Sequence, residues 1–130
     1  MNQEIQQEIL RQDYAKIQQN IESFLKNQVS QKKANGVVFG LSGGIDSTTI
    51  ACLCSKVFKK NALALVMPDS AVSPSSDTGD ALKIIGEIEI DYKLIDINTI
   101  HKRYSNYLEP DELALGNLRA RIRSNIIYYY

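Results

Sequence analysis

The sequence is short of several residue types, and each shortage closes a route. It has no tryptophan, one histidine, two cysteines and three prolines in 130 residues. Cys52 and Cys54, separated by one residue, are too few and too close to staple a fold, so a disulfide scaffold is excluded and a reducing compartment, the cytoplasm, is the simplest setting. A lone histidine, His101, with no second imidazole argues against a zinc centre and reads as a surface residue. No apolar run approaches the roughly 18 residues that a membrane-spanning helix needs, so no membrane is expected as a partner. Residues 1–13 lack a basic stretch followed by an apolar core, so they do not read as a secretory leader. Neither sign of charge is in surplus: fifteen Lys and Arg balance fifteen Asp and Glu. That balance disfavours nucleic acid as a partner held by overall charge.

What is present is ordinary for a globular domain, with 44% hydrophobic and 23% charged residues. The length suits one domain. Residues 3–29 predict an amphipathic helix, with Ile5, Ile9, Tyr14, Ile17, Ile21 and Phe24 as a stripe that packs on a core. Gly36 closes this amino-terminal segment, 1–35. Val37–Leu41 reads as a buried strand. A tight turn, 42–47, leads to a helix over 48–58 with Ile50, Leu53, Val57 and Phe58 on its apolar side. A second buried strand covers 62–67, and a polar loop, 70–76, leads to a helix over 77–88. A third strand covers 92–97. Helices over 99–108 and 117–130 follow, joined by a loop holding Pro110 and Gly116. Strand–helix alternation of this kind predicts an α/β fold, a parallel sheet with helices on both faces. The pattern stops inside an apolar helix, so the 36–130 core is expected to be truncated, incomplete at its carboxyl end.

The chemistry concentrates in Phe39-Gly40-Leu41-Ser42-Gly43-Gly44-Ile45-Asp46-Ser47, between a buried strand and a helix start. Glycines there permit positive φ and close approach of a ligand. Successive N–H groups and the helix dipole then make an anion site, and phosphate is the usual guest. Ser42 and Ser47 add hydroxyls. Asp46 would repel a phosphate unless a cation lies between them, which points to Mg²⁺ held by Asp46 and phosphate oxygens. The plainer alternative is a tight turn with Asp46 or Ser47 as an N-cap. The string is neither a Walker A loop nor a dinucleotide Gly-x-Gly-x-x-Gly fingerprint.

Ser42-Gly43-Gly44-Ile45-Asp46-Ser47 resembles the Ser-Gly-Gly-x-Asp-Ser pyrophosphate loop of the N-type ATP pyrophosphatases. Three further features resemble the ammonia-dependent NAD synthetases within that superfamily. They are Gly116-Asn117-Leu118-Arg119-Ala120-Arg121-Ile122-Arg123, the strand end Ala64-Leu65-Val66-Met67-Pro68, and Asp80-Ala81-Leu82. The likeness runs from Gly36 to Tyr130 and corresponds to the amino-terminal half of the family's chain. It implies a Rossmann-like, adenine nucleotide alpha hydrolase-like fold forming one nucleotide-binding domain over 1–130. It implies ATP at Gly40, Leu41, Ser42, Gly43, Gly44, Ile45, Asp46, Ser47 and Met67, with Asp46 on Mg²⁺. It also implies a homodimer, and deamido-NAD and ammonia as the other substrates. No nucleophilic Ser or Cys is needed. Other N-type ATP pyrophosphatases, tRNA-modifying or GMP-forming, stay open, as does an inactive nucleotide-binding fragment.

Residues two apart on a helix point about 200° apart, so Arg119, Arg121 and Arg123 cannot all face one ligand. Arg119 and Arg123 share a face, and Arg121 points elsewhere. Guanidinium forks suit the phosphates of a dinucleotide. The resemblance puts Arg121 on deamido-NAD; Arg123 is the second candidate, and Arg119 reads as a surface charge. Cys52 and Cys54 read as buried thiols pointing to different sides. Tyr104, Tyr107 and Tyr128 to Tyr130 read as core, with an interface as the alternative.

Overall fold

Two short apolar runs and an exposed, more polar third strand pair into a sheet, and each is followed by a helix. In the computed structural model, which describes residues 11–130, α1 (Tyr14–Gln31) precedes β1 (Val37–Gly40), α2 (Ile45–Phe58) and β2 (Ala62–Val66). Then come α3 (Ser75–Ile88), β3 (Asp91–Leu94), α4 (Asn98–Ser105) and α5 (Glu112–Tyr129). The strands lie in the order β1-β2-β3. Both pairings are parallel, with Phe39 opposite Ala64 and Leu65 opposite Lys93. The α/β class expected from the alternation is therefore present.

Side chains alternate across β2, and the alternation builds two cores. Ala62, Ala64 and Val66 face Ala51 and Cys54 of α2 and Ala81 and Ile85 of α3. Leu65 and Met67 face Ile97 and Ile122 on the other side, where Leu118, Ile126 and Ile127 of α5 pack. Helices thus cover both faces, as the pattern of period two along a doubly buried strand requires.

Several boundaries and faces differ from the sequence reading. α2 begins at Ile45 rather than Thr48, with Gly44 as its N-cap. Its buried side is Ala51 and Cys54, whereas Ile50 is exposed. Small side chains let this helix approach the sheet closely, which a face led by Ile50 would prevent. α5 starts five residues earlier than expected because Asp111 caps it, accepting from the Ala114 N–H at 2.8 Å. Gly116 therefore lies within the helix, not in a loop.

α1 departs furthest. No residue in it is buried, and Ile17, Ile21 and Phe24 of the expected core stripe are exposed. Leu25 reaches the first core, and Glu22 pairs with Lys56 of α2 at 3.0 Å. The helix is turned so that its Glu22–Leu25 side meets α2. Ile5 and Ile9 lie outside the described residues. Gly36 does not end this helix: Lys32 caps it and Lys33 takes the left-handed turn at φ +53°. Gly36 instead lies so close to the Asn61 carbonyl that a Cβ would fall 2.0 Å from its oxygen.

Candidate functional site

All strands of a parallel sheet end on one edge, and the loops leaving that edge build the site. β1 ends at Gly40; Leu41 continues buried, its N–H donating to the Leu65 carbonyl at 2.9 Å. The chain then turns through Ser42 and Gly43. Gly43 has φ +86°, and a Cβ there would lie 2.5 Å from the Asp77 carbonyl oxygen. Conformation and space both require glycine at this position.

Gly44, in extended backbone, provides no side-chain cap for α2. The N–H groups of the first helical turn therefore have no partner within the helix, and the positive end of its dipole faces the loop. Asp46 and Ser47, weighed above as N-caps, sit inside that first turn. Ser47 Oγ donates to the Gly44 carbonyl at 3.0 Å and accepts from the Ser42 N–H at 3.2 Å. The two hydroxyls lie 3.0 Å apart. Thr48 Oγ1 also donates to Gly44, at 2.9 Å. The loop is thus braced by its own hydroxyls, with Asp46 exposed at its rim.

A cavity of about 350 Å³ opens beside this loop. Gly40, Leu41 and Ser42 form one wall, and Leu65 to Pro68 the floor. Ser73, Asp77 and Thr78 approach from the β2–α3 side, and Arg123 and Ile127 from α5. Of the residues proposed from sequence, the structure brings Gly40, Leu41, Ser42, Met67 and Arg123 to this one cavity. Gly43 to Ser47 continue the loop outside its lining, and Arg121 is exposed and not part of it. Sequence reasoning missed Ser73, Asp77, Thr78 and Ile127. A run of Ser and Asp after Pro74, the usual opening of a helix, was the available signal for Asp77 and Thr78.

Arg123 donates from Nε to the Met67 carbonyl at 2.8 Å. Burial draws its pKa below the usual arginine value; Arg119 acts in the same direction and Asp69 against it. An arginine stays charged at neutral pH regardless.

Arg119 is not a surface charge. Its Nε donates to Asp69 Oδ2 at 2.6 Å, and the Asp69 side chain is 1% exposed. His101, expected at the surface, is buried too, with Nδ1 3.8 Å from the same oxygen and Nε2 lacking a hydrogen-bond partner. Sequence reading missed this trio because its members are distant along the chain and meet only when α4 and α5 fold onto the end of β2.

The two cysteines do point apart. Cys54 is buried, and burial raises its thiol pKa; Cys52 is exposed, against the expectation for both. The tyrosines expected in the core are exposed, Tyr107 at 86% and Tyr128 at 94%. The second core holds only Leu, Ile, Val and Met side chains, and the α5 end projects past it. Tyr129 and Tyr130 meet edge to face at 5.1 Å. With Tyr104 and Ile100 they border an apolar cleft of about 330 Å³ between α4 and α5. None of the described helices is long and apolar enough to cross a membrane.

Comparison with known proteins bears on this geometry. The family model for NAD synthase matches residues 17–130. The NH(3)-dependent NAD(+) synthetase of Hyperthermus butylicus is 44% identical over 126 residues, covering 95% of this chain and 46% of that protein. The protein of the same name from Aeropyrum pernix is 39% identical over 125 residues, covering 91% of this chain and 44% of its own length. Among solved structures, the NH3-dependent NAD synthetase of Campylobacter jejuni, in complex with nitrate, superposes with a TM-score of 0.87 at 36% identity, covering 92% of this chain and 52% of that one. The NMN synthetase of Francisella tularensis superposes at 0.82 with 30% identity, covering 89% and 49%. The chain spans about half the length of the relatives it matches.

Proposed function

This chain belongs to the NAD synthase family, and from that premise we propose that its cavity binds ATP for the amidation of deamido-NAD to NAD. In this reaction the nicotinate carboxylate attacks the α-phosphorus of ATP and pyrophosphate leaves. Ammonia then attacks the acyl adenylate and expels AMP. The observation that carries the reading is one cavity lined by Gly40 to Ser42 and by Arg123, with the Gly43 turn and the uncapped start of α2 continuing directly from Ser42.

The roles follow from the chemistry of each group. Main-chain N–H groups at the start of α2, with Ser42 and Ser47, receive the leaving pyrophosphate. Met67, buried on the cavity floor, offers an apolar surface to the adenine. Arg123 supplies a fixed cation at the cavity edge, and Arg121, exposed on another side of α5, is assigned to deamido-NAD. Catalysis of this type works through alignment and charge neutralisation, so no side chain serves as nucleophile.

Asp46 is the residue assigned to Mg²⁺. Among the described residues no three His, Cys, Asp or Glu side chains cluster as a metal cage. One exposed carboxylate beside a phosphate site suits an ion that keeps water and phosphate as its other ligands, which is the habit of magnesium. When bound, the ion offsets the charge of the phosphate oxygens. The reading includes a cytoplasmic setting, and a homodimer that covers the exposed tyrosines at the end of α5.

The test uses the intact polypeptide that carries this chain. Incubation with ATP, Mg²⁺, ammonia and deamido-NAD is expected to yield NAD and AMP. Absence of NAD, with AMP release that depends on RNA or xanthosine phosphate instead, replaces this reading with another ATP pyrophosphatase. Calorimetry with Mg·ATP on the wild type and Asp46→Ala checks the metal assignment, and equal heats remove Asp46 from it.

A further inference from the structure

Behind the cavity lies a charged group that the proposed reaction does not use. Asp69 follows Pro68 at the carboxyl end of β2 and is fully buried. Its Oδ1 accepts from the Ala71 N–H at 3.2 Å, and its own N–H donates to Ser73 Oγ at 3.0 Å. Its carbonyl accepts from the Ser73 N–H at 2.7 Å. Asp69 therefore shapes the β2–α3 connection, of which Ser73 faces the cavity. Its Oδ2 takes Arg119 Nε at 2.6 Å and so fastens α5. His101 closes the remaining side at 3.8 Å, too far for a hydrogen bond.

Arg119 and Arg123 stand one helical turn apart on the same face of α5. Arg119 is neutralised by Asp69. Among the described residues, the hydrogen bond of Arg123 is from Nε to the Met67 carbonyl, two residues before Asp69. Of these two cations Arg123 lines the cavity, and a buried carboxylate holds the other, one turn away.

Resting on the reading of the cavity as an ATP site, we propose that Asp69 is a positioning residue that holds Arg119, and through it α5, so that Arg123 meets the phosphates. Asp69 does not touch the ligand. Without its charge, the Arg119 tie between α5 and the end of β2 is weakened, and Arg123 is no longer held at the cavity edge.

The test is a double-mutant cycle on the intact polypeptide, with the dissociation constant for Mg·ATP read by calorimetry and the unfolding midpoint recorded beside it. Asp69→Asn is expected to weaken Mg·ATP about tenfold in the wild-type background, a coupling ordinary within one charged network. In an Arg123→Gln background the same substitution is expected to change affinity little. A merely structural Asp69 would lower the unfolding midpoint and weaken binding by the same factor in both backgrounds, and that result overturns the proposal. No loss in either background overturns it as well. If Asp69→Asn does not fold, Arg119→Lys takes its place in the cycle, since lysine keeps the charge but has no Nε to offer Asp69. A wild type that does not bind Mg·ATP removes the reading of the cavity itself, and the positioning role with it.

Discussion

The two faces of the sheet are built from the same three strands yet differ in kind. Under α2 and α3 the packing is apolar, with Ala51, Ala62, Ala64 and Ala81 bringing helices close to the strands. Under α5 the apolar cluster of Leu65, Met67, Ile97 and Ile122 ends at the strand tips in Asp69, Arg119, His101 and Arg123. The first face buries area and little else. The second spends buried charge to place one guanidinium at a cavity. Buried ion pairs contribute little net stability compared with apolar packing, so their presence marks specificity of arrangement rather than strength.

That contrast can be broken by substitution. The largest effect is expected on the charged face: Arg119→Ala leaves Asp69 buried without its partner and should cost about 3–5 kcal/mol in urea unfolding. The double variant Asp69→Asn/Arg119→Leu should recover much of that loss. If the single variant is nearly neutral, the charged face is not the strained one. Next is Gly43→Ala, at the loop that rests on the α3 carbonyl of Asp77. A side chain at φ +86° that also meets that carbonyl should cost about 1–3 kcal/mol and weaken Mg·ATP markedly. Retained affinity would show that the loop can shift without harm.

On the apolar face, Ile85→Val should cost about 1 kcal/mol and leave the Mg·ATP dissociation constant unchanged. A change in affinity there would mean that the faces are coupled. The smallest effect belongs to Asp96, whose pKa is lowered by Ser70 first and then by the backbone of Asn98. Its carboxylate joins the loops after β2 and β3 through Ser70 N and Asn98 N at 3.1 and 2.9 Å. The folded pKa lies below the unfolded one, so this contribution is present above the ordinary carboxylate value and is lost as pH falls through the folded value. Asp96→Asn should lower Tm by about 2 °C at pH 7. The difference from wild type should vanish in strong acid.

Legibility in the sequence followed locality. The loop from Gly40 to Ser47 could be read because its chemistry is contiguous: a strand end, glycine at a positive φ, and a helix start lie within eight residues. Met67 was readable as the end of a buried strand. The burial of α1 was misread because periodicity shows that one side is apolar but not that a partner exists for it. Ile50 and Ala51 are neighbours in one helix, and only the closeness of helix and sheet decides which is buried. Arg119 misled for a related reason, since its partner is fifty residues away.

From the order of residues alone came the strand–helix alternation, the parallel sheet it forces and the glycine turn after β1, because each is set by interactions between near neighbours in the chain. The tertiary structure alone decided which arginine reaches the cavity, why His101 is buried and which side of α1 meets the core. Those outcomes depend on how helices rotate and dock against the ends of the strands, and a rotation of one residue along a helix turns its side chains by about 100° without changing any local propensity.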